Sequence, residues 1–278
     1  MSDPAPVAAP LPSLFVSHGP PDMVLDDIPL RAVLAELGRA LPRPRAVLCV
    51  SAHWVSERPI ASLAPRPATI HDFFGFAPAL YDIVYPAPGA PEVARRAVAL
   101  LAAAGIDAGL DPERGLDHGA WEPLMLMYPE ADVPVAQLAL PAVSADAQIR
   151  VGRALAPLRD EGVLLLASGT AVHNLQQWRA DPDGTPAWAQ RFEDWLVASA
   201  VAGDAAAIGD YRRRAPAARQ AHPSEEHFLP LPLALGAGGP GAKGRVLHRG
   251  FSYGSLSMAS FAFEAARQPQ EQEPWPTA

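Results

Sequence analysis

Histidines follow three predicted buried strands of the chain, at or shortly after the point where each strand ends. The three pairs are the apolar run 14–17 with His18, the run 46–51 with His53, and the run 162–168 with His173. In an open α/β sheet, ligands bind in the crevice outside the carboxyl ends of the strands. A single histidine in such a place is most often an ordinary hydrogen-bonded residue, but three together favour a metal site, because imidazole binds zinc, iron and other transition metals.

His227 is a fourth candidate ligand, in the segment 223–229. Ser224 is expected to cap a helix there, with Glu225 and Glu226 in the first turn, where carboxylates suit the helix dipole. His227 would then lie about one turn into that helix. Neighbouring helical residues diverge by about 100°, so either Glu226 or His227 would face the cleft, and the pattern leaves that choice open.

The remaining histidines have weaker chemical settings. His118 follows Asp117, whose carboxylate is placed to orient or charge the imidazole ring. His71 lies in an aromatic loop that fits either a lid over a pocket or a small satellite core. His222 and His248 have no comparable surroundings in the sequence, and we expect both at the surface.

These residues would be positioned by a single α/β domain of three layers, with a mainly parallel central sheet flanked by helices. Short apolar strands alternate with helical patterns along the chain, which is typical of that architecture. The predicted helices are 30–40, 93–104, 145–159, 188–200 and 205–211, and a further strand is expected at 133–140. No composition break marks a linker, so we expect one domain over 13–278, preceded by a flexible arm over 1–12.

Composition and charge exclude several classes of protein. The chain has 278 residues, with 22 Lys plus Arg against 30 Asp plus Glu, and this net charge of -8 disfavours nucleic acids and anionic membranes as partners. Its N-terminus lacks the pattern of a secretory signal, and no apolar stretch approaches the roughly 20 residues of a membrane span. Cys49 is the single cysteine, which excludes an internal disulfide and a cysteine-rich zinc site. A reduced cysteine fits a cytoplasmic protein.

Short motifs along nearly the whole chain after residue 12 resemble one enzyme family. In chain order they are SHGPP (17–21), VSAHW (50–54), TIHDF (69–73), YD (81–82) with YPAPG (85–89), DHGAW (117–121), SG (168–169) with VHNL (172–175), EHFLPL (226–231) and GSLSM (254–258). Together they are similar to the class III, LigB-type extradiol ring-cleavage dioxygenases, in the branch of the DOPA 4,5-dioxygenases. The resemblance implies a metal-dependent enzyme that opens the aromatic ring of a DOPA-like catechol with O2.

The resemblance also implies roles for individual residues. His18, His53 and His227 match the metal ligands, so the site would hold one divalent metal, zinc or Fe(II), on three imidazoles. His173 matches a residue of the same site that is either a further ligand or the acid/base group. His118 matches a histidine that faces the substrate or supports the ligands.

Aromatic residues beside these histidines are expected to bind the substrate: Trp54, His71 and Phe73. Ring cleavage needs a metal that exchanges electron density with the catecholate and O2, which Fe(II) does, whereas zinc has no accessible redox change. We therefore expect ferrous iron in turnover even if zinc copurifies. His173 would take a proton from a catechol hydroxyl and return it later in the cycle, which suits a base of near-neutral pKa.

Two other classes of function would use the same residues. A zinc hydrolase or amidase would use zinc-bound hydroxide as the nucleophile and His173 as the base, and a non-catalytic protein would bind a metal or an aromatic ligand without turnover. Arg66, Arg114 and Arg179 carry the charge needed to pair with a substrate carboxylate. The expected partners are a small aromatic diol and O2, on a monomer or a small homo-oligomer.

Overall fold

A mainly parallel β-sheet forms the centre of the computed structural model, which describes residues 10–178 and 184–265. The strands in these ranges are β1 (Ser13–Ser17), β2 (Ala46–Ser56), β3 (Ile60–Ser62), β4 (Gly109–Asp111), β5 (Val135–Pro141), β6 (Val163–Gly169), β7 (Lys243–His248), β8 (Phe251–Ser252), β9 (Leu256–Ser257) and β10 (Ser260–Glu264). Eight of these described strands form one sheet in the order β4-β3-β5-β2-β6-β1-β10-β7, and β8 pairs with β9. The central strands β5, β2, β6 and β1 are parallel, which confirms the predicted fold class.

Helices cover both faces of the sheet and give the three predicted layers. In the described ranges they are α1 (Pro29–Ala40), α2 (Pro78–Tyr81), α3 (Pro91–Ala103), α4 (His118–Met127), α5 (Ala145–Leu155), α6 (Pro157–Asp160), α7 (Ala187–Ala202), α8 (Ala205–Gly209), α9 (Tyr211–Arg214), α10 (Ala218–Ala221) and α11 (Pro230–Ala237). Because side chains alternate along a strand, Leu48 and Val50 of β2 join one core, with α3, α5, α7 and α11. Val47 and Cys49 join the other core, with α1 and α4.

Strand β2 is longer than predicted, and it is irregular in the added part. Its pairing with β5 joins Ser51 to Ala139 and then Val55 to Leu140, so residues 52–54 are extra on this strand. Such a bulge bends a strand and re-aims its side chains, and bulges are common beside active sites. His53 therefore lies inside the strand, in a bulge, and not beyond the strand end.

Two predicted helices are divided where the local chemistry favours a break. The helix predicted over 145–159 is α5 followed by α6, because Pro157 has no N–H to donate and begins a new helix. The helix predicted over 205–211 is divided into α8 and α9. Its predicted cap is confirmed, since the Asp204 carboxylate accepts a hydrogen bond from the Ala207 N–H (2.9 Å).

The prediction that His227 lies in a helix is wrong. Residues 223–229 form a turn, and the Ser224 hydroxyl donates to the Glu226 carboxylate (2.8 Å) instead of capping a helix. Helix α11 begins only at Pro230, since proline is favoured in a first helical turn. His227 is therefore positioned by a turn that precedes the helix.

The arm predicted over 1–12 falls mostly on residues 1–9, which lie outside the described residues. Leu11 and Pro12 correct its boundary, because both are buried and the Leu11 carbonyl accepts a hydrogen bond from the Arg159 guanidinium. Among the helices described, none combines the length and the apolar character that crossing a membrane requires.

Candidate metal centre

Segments from distant parts of the sequence meet at the carboxyl ends of the central strands. They are the turn after β1 with His18, the β2 bulge with His53, the start of α4 with His118, the loop after β6 with His173, and the turn with His227. Backbone hydrogen bonds join three of these segments. The His18 N–H donates to the Gly169 carbonyl (2.8 Å), and the Thr170 N–H donates to the His227 carbonyl (3.0 Å). The end of β6 thus fixes two histidine-bearing turns against each other.

The Nε2 atoms of His18, His53 and His227 converge. Nε2 of His53 lies 3.0 Å from that of His18 and 3.2 Å from that of His227. The three ring centres are 4.9–5.4 Å apart. Nitrogen ligands about 2.1 Å from one cation lie about 3.0–3.4 Å apart in octahedral or tetrahedral arrangements, so these separations fit a shared divalent metal.

Each of these imidazoles also has its other ring nitrogen, Nδ1, beside an oxygen. The pairs are His18 with the Ser168 hydroxyl (2.8 Å), His53 with the Asp72 carboxylate (3.4 Å) and His227 with the Glu226 carboxylate (3.0 Å). The two carboxylates only accept, so they keep the proton on Nδ1 of His53 and His227 and leave the Nε2 lone pair for a metal. The Ser168 hydroxyl can accept the Nδ1 proton of His18 in the same arrangement. The choice that the sequence left open is thereby answered, because His227 points to His53 and Glu226 supports His227 from behind.

Burial keeps the three rings neutral. Burial and the neighbouring histidines together lower the pKa of His53 to about 3, against the opposing charges of Asp72 and Glu226. They also lower the pKa values of His18 and His227 well below their usual range. Neutral imidazole is the form that binds a metal. The donor atoms, their spacing and their protonation state therefore fit one divalent cation with three nitrogen ligands.

His118 begins α4 beside this triad. Its ring centre is 3.9 Å from that of His53 and 5.5 Å from that of His18. The Asp72 carboxylate accepts hydrogen bonds from the backbone N–H and from the Nδ1–H of His118, both at 2.9 Å. Burial raises the pKa of Asp72, but the hydrogen bonds and charge of His118 outweigh it and lower that pKa to about 2. Asp72 is therefore a carboxylate at neutral pH.

Asp117, which the sequence offered as the partner of the His118 ring, has other partners. Its carboxylate accepts hydrogen bonds from Arg114 (2.8 Å) and from Gln137. The Arg114 guanidinium in turn covers the ring of Trp54, 4.9 Å from the ring centre. Trp54 and Arg114 thus form a stacked pair next to His53, and their roles toward a substrate stay predictions.

The ring of His173 lies flat on the ring of His227. Their centres are 3.5 Å apart and their planes differ by 9°. Burial lowers the pKa of His173 to about 4, against the opposing charge of Glu226. The His173 N–H donates to the Ala221 carbonyl (2.9 Å), which anchors the loop that carries this ring.

The aromatic loop packs against the site through Phe73. Its ring meets that of His118 edge-on, with centres 5.7 Å apart. His71 is half-buried, its Nε2 donates to the Ile83 carbonyl (2.9 Å), and its ring contacts those of Phe73 and Trp121. His71 therefore packs in a small aromatic core that holds Phe73 against His118, and its role toward a substrate stays a prediction.

The prediction that His222 lies at the surface is wrong. His222 is fully buried among aromatic rings, its Nε2 donates to the Ala171 carbonyl (3.0 Å), and burial lowers its pKa to about 3. His248 is half-buried in β7. Arg66 is exposed, and Arg179 lies outside the described residues, so their pairing with a substrate carboxylate stays a prediction.

Sequence reasoning missed three residues that shape the site: Asp72, Ser168 and Gly119. The first two hold Nδ1 atoms of the triad. A Cβ at Gly119 would lie 2.4 Å from Ser51 Oγ and 3.1 Å from His18 Cε1, so the start of α4 packs directly on the triad. All three lie within the short motifs that resemble the enzyme family, so the sequence did mark these positions. A motif does not state, however, which atoms of distant segments meet.

The architecture and the convergent imidazoles define a class of α/β enzyme whose site, at the carboxyl ends of parallel strands, is built to take a divalent metal. Residues 12–264 match the family model described as the catalytic LigB subunit of aromatic ring-opening dioxygenase. The chain belongs to this LigB family, whose dioxygenases are metal-dependent. The resemblance seen in the sequence motifs is confirmed.

Curated relatives and a solved structure agree with this membership. Proteins named 4,5-DOPA dioxygenase extradiol from Beta vulgaris and from Escherichia coli K12 are each 41% identical, over 90% of this chain and 96% and 93% of their own lengths. The crystal structure of an uncharacterized Escherichia coli K12 protein has a TM-score of 0.77 and 36% identity, and the match covers 91% of this chain and 99% of that one. The chain is therefore an extradiol ring-opening dioxygenase, and the hydrolase alternative receives no support.

Proposed function

We propose that this enzyme opens the ring of a DOPA-like catechol with O2, using Fe(II) bound by His18, His53 and His227. The observation that carries the metal site is the convergence of three Nε2 atoms whose Nδ1 partners are oxygens. Ferrous iron supplies the exchange of electron density between catecholate and O2 that zinc lacks. The substrate class is inferred from the names of the relatives, 4,5-DOPA dioxygenase extradiol.

His173 serves in this proposal as the base and not as a further ligand. An imidazole binds a metal through a lone pair that lies in the plane of the ring. Because the rings of His173 and His227 are parallel at 3.5 Å, one cation cannot lie in both planes. With its pKa lowered to about 4, His173 is unprotonated at neutral pH and can accept a proton from a catechol hydroxyl, but burial makes it a weaker base than the near-neutral imidazole that the sequence led us to expect.

Phe73 and His118 support the idea of an aromatic substrate pocket. Phe73 offers an apolar ring edge-on to His118, and His118 lies beside the triad. A planar catechol suits such a wall, because aromatic rings gain from edge-to-face contact beyond the burial of their area. Phe73 would exclude water from the ring, and His118 would bind a substrate hydroxyl.

The test is an oxygen-electrode assay on protein prepared without air and loaded with Fe(II), Zn(II) or Mn(II). We expect O2 uptake and a yellow ring-cleavage product with Fe(II) and DOPA, and weaker turnover with unsubstituted catechol. A lack of turnover with each of the three metals would overturn the proposal. Equal rates with DOPA and catechol would remove the substrate assignment.

Three variants and a control test the residue roles. His18→Ala and His53→Ala should lose bound metal, whereas His173→Ala should keep it and lose about 10²-fold or more in turnover, as for a general base. His248→Ala, a half-buried histidine in β7, is the matched control and should behave like the wild type. Metal loss in His173→Ala would instead make His173 a ligand.

A further inference from the structure

Asp72 joins two histidines of the site through one carboxylate. Oδ1 accepts both the backbone N–H and the Nδ1–H of His118, and Oδ2 lies 3.4 Å from Nδ1 of His53. The Asp72 side chain is 23% exposed, although the residue as a whole is exposed. One acidic group from the aromatic loop therefore contacts a proposed metal ligand and the neighbouring histidine at the same time.

The chemistry of a carboxylate decides what these contacts do. An ionised Asp only accepts hydrogen bonds, so each ring nitrogen that faces it must carry the proton. A neutral imidazole has one N–H, and the other nitrogen is then an acceptor. For His53 the unprotonated atom is Nε2, which is the atom 3.0 Å from His18 Nε2. For His118 it is also Nε2.

We propose that Asp72 is a positioning residue that sets the tautomers of His53 and His118 together and so couples the aromatic loop to metal affinity. This inference rests on the proposed ligand role of His53. The same contact with Asp72 makes Nε2 of His118 an acceptor. His118 would therefore accept a hydrogen bond from a substrate hydroxyl and not donate one. Phe73, the next residue in the chain, is held on His118 by the same anchor.

Asp72→Asn keeps the shape of the side chain but removes its charge and replaces one acceptor oxygen by an NH2 donor. If the amide oxygen keeps the two His118 hydrogen bonds, the amide nitrogen faces Nδ1 of His53, and a donor opposes a donor. His53 can relieve this by moving its proton to Nε2, which removes the lone pair that would bind the metal, or by turning its ring away from residue 72, which moves Nε2. If the amide is turned round, His118 loses its acceptor instead. Either orientation therefore disturbs one of the two rings.

The experiment measures metal affinity of the metal-free protein by competition with a chromophoric chelator, using Zn(II) as the probe. We expect binding to be about 10–100-fold weaker in Asp72→Asn, the range typical when a partner of a metal-binding histidine is lost. Asp82→Asn is the matched control, since Asp82 is an exposed aspartate that ends α2 in the same region, and it should bind like the wild type. Thermal unfolding of the metal-free variants checks that both are folded.

A spectroscopic measurement tests the tautomers directly. Long-range proton–nitrogen NMR spectra of the metal-free protein, in which no metal fixes the tautomers, should show Nδ1 protonated in His53 and His118 of the wild type, and a changed pattern in Asp72→Asn. Wild-type affinity and unchanged ring signals in Asp72→Asn would overturn the inference. Neither measurement uses turnover. A wild type that binds metal without consuming O2 would therefore contradict the proposed function and leave the inference about Asp72 intact.

Discussion

Gly119 shows how little free space separates the parts of the site. A Cβ at this position would lie 2.4 Å from Ser51 Oγ, 3.0 Å from His53 Cδ2 and 3.1 Å from His18 Cε1. Distances under 3.0 Å are closer than nonbonded contacts allow, so any side chain here must displace its neighbours. The absence of a side chain at Gly119 is thus a condition for the observed positions of His18 and His53.

Gly119→Ala should therefore weaken the site without unfolding the protein. We expect turnover with Fe(II) to fall by about 10-fold or more, since small displacements of positioned groups are costly in catalysis. Gly109→Ala is the control, because a Cβ there comes no closer than 3.4 Å, to the mobile end of Arg58. Equal turnover in the two variants would show that the start of α4 shifts to make room for the new Cβ without moving His18 or His53.

At this scale the sequence predicts the histidines and not their partners. His18, His53 and His173 were identifiable because each follows an apolar run. His227 was a candidate from its own segment, and the family resemblance favoured it over Glu226. Asp72 was not identifiable, since its role depends on which ring nitrogens lie beside its carboxylate in the fold. His222 was misassigned for a similar reason, because its setting comes from rings that are distant in the sequence.

At the scale of the elements, the β8–β9 hairpin supports the loop of His173. Glu193 on α7 is 1% exposed, and its carboxylate accepts hydrogen bonds from Arg249 (2.8 Å) and from the Ser257 hydroxyl (2.9 Å). Ser257 pairs through its backbone with Val172, the residue before His173. A buried carboxylate on one helix thus steadies the proposed base through a short hairpin.

Glu193→Gln should loosen this support, because an amide nitrogen cannot accept the hydrogen bonds of these donors. We expect the free energy of unfolding to fall by about 1–3 kcal/mol, the cost of leaving buried polar groups without partners, and kcat to fall with little change in KM. Urea titration and steady-state kinetics measure the two effects.

Asp194→Asn provides the comparison, since exposed Asp194 pairs with the same Arg249. An exposed ion pair contributes little, so its loss should change stability by less than about 1 kcal/mol. The support described for Glu193 does not exist if both variants are equally stable and active.

Elements were predictable where apolar periodicity dominates and less so where a few polar or proline residues decide. The strands β1, β5 and β6 and the helices α1, α3 and α7 were identifiable within a few residues of their bounds. The β2 bulge was not, because a bulge depends on the pairing with β5. The turn at 223–229 was not either, since Ser224 bonds to Glu226 and leaves the backbone uncapped.

At the scale of the whole molecule, the three-layer arrangement follows from strands that are apolar on both faces. Each of the two cores takes alternate residues of the same strands, which requires helices on both sides. That much was predictable from the sequence. The order of the strands was not, because hydrophobic pattern gives no information on which strands are neighbours. The cytoplasmic location and the oligomeric state stay predictions.

Burial of neutral histidines makes the metal-free protein sensitive to acid. The pKa of His222 is lowered to about 3 in the folded state, against about 6.5 when unfolded. The unfolded chain therefore binds the proton first, and stability that is complete above pH 6.5 is lost as the pH falls toward 3. At pH 5 this one group costs about 2 kcal/mol.

His222→Gln keeps an N–H for the Ala171 carbonyl and removes the titration. We expect the loss of unfolding free energy between pH 7 and pH 5 to be smaller in this variant than in the wild type by about 2 kcal/mol. Urea titrations of the metal-free proteins at the two pH values provide the comparison. Parallel losses in both proteins would mean that His222 is already protonated, or shielded, in the folded state.

Of the three converging Nε2 atoms, those of His18 and His53 lie in the first fifth of the chain and that of His227 lies in the last fifth. An ion held by them would act as a staple between segments that are otherwise far apart in sequence. By mass action, whatever binds only the folded form adds to its stability. A shortage of the metal would thus leave the enzyme both inactive and more readily degraded, and the supply of the ion would affect the lifetime of the protein in the cell.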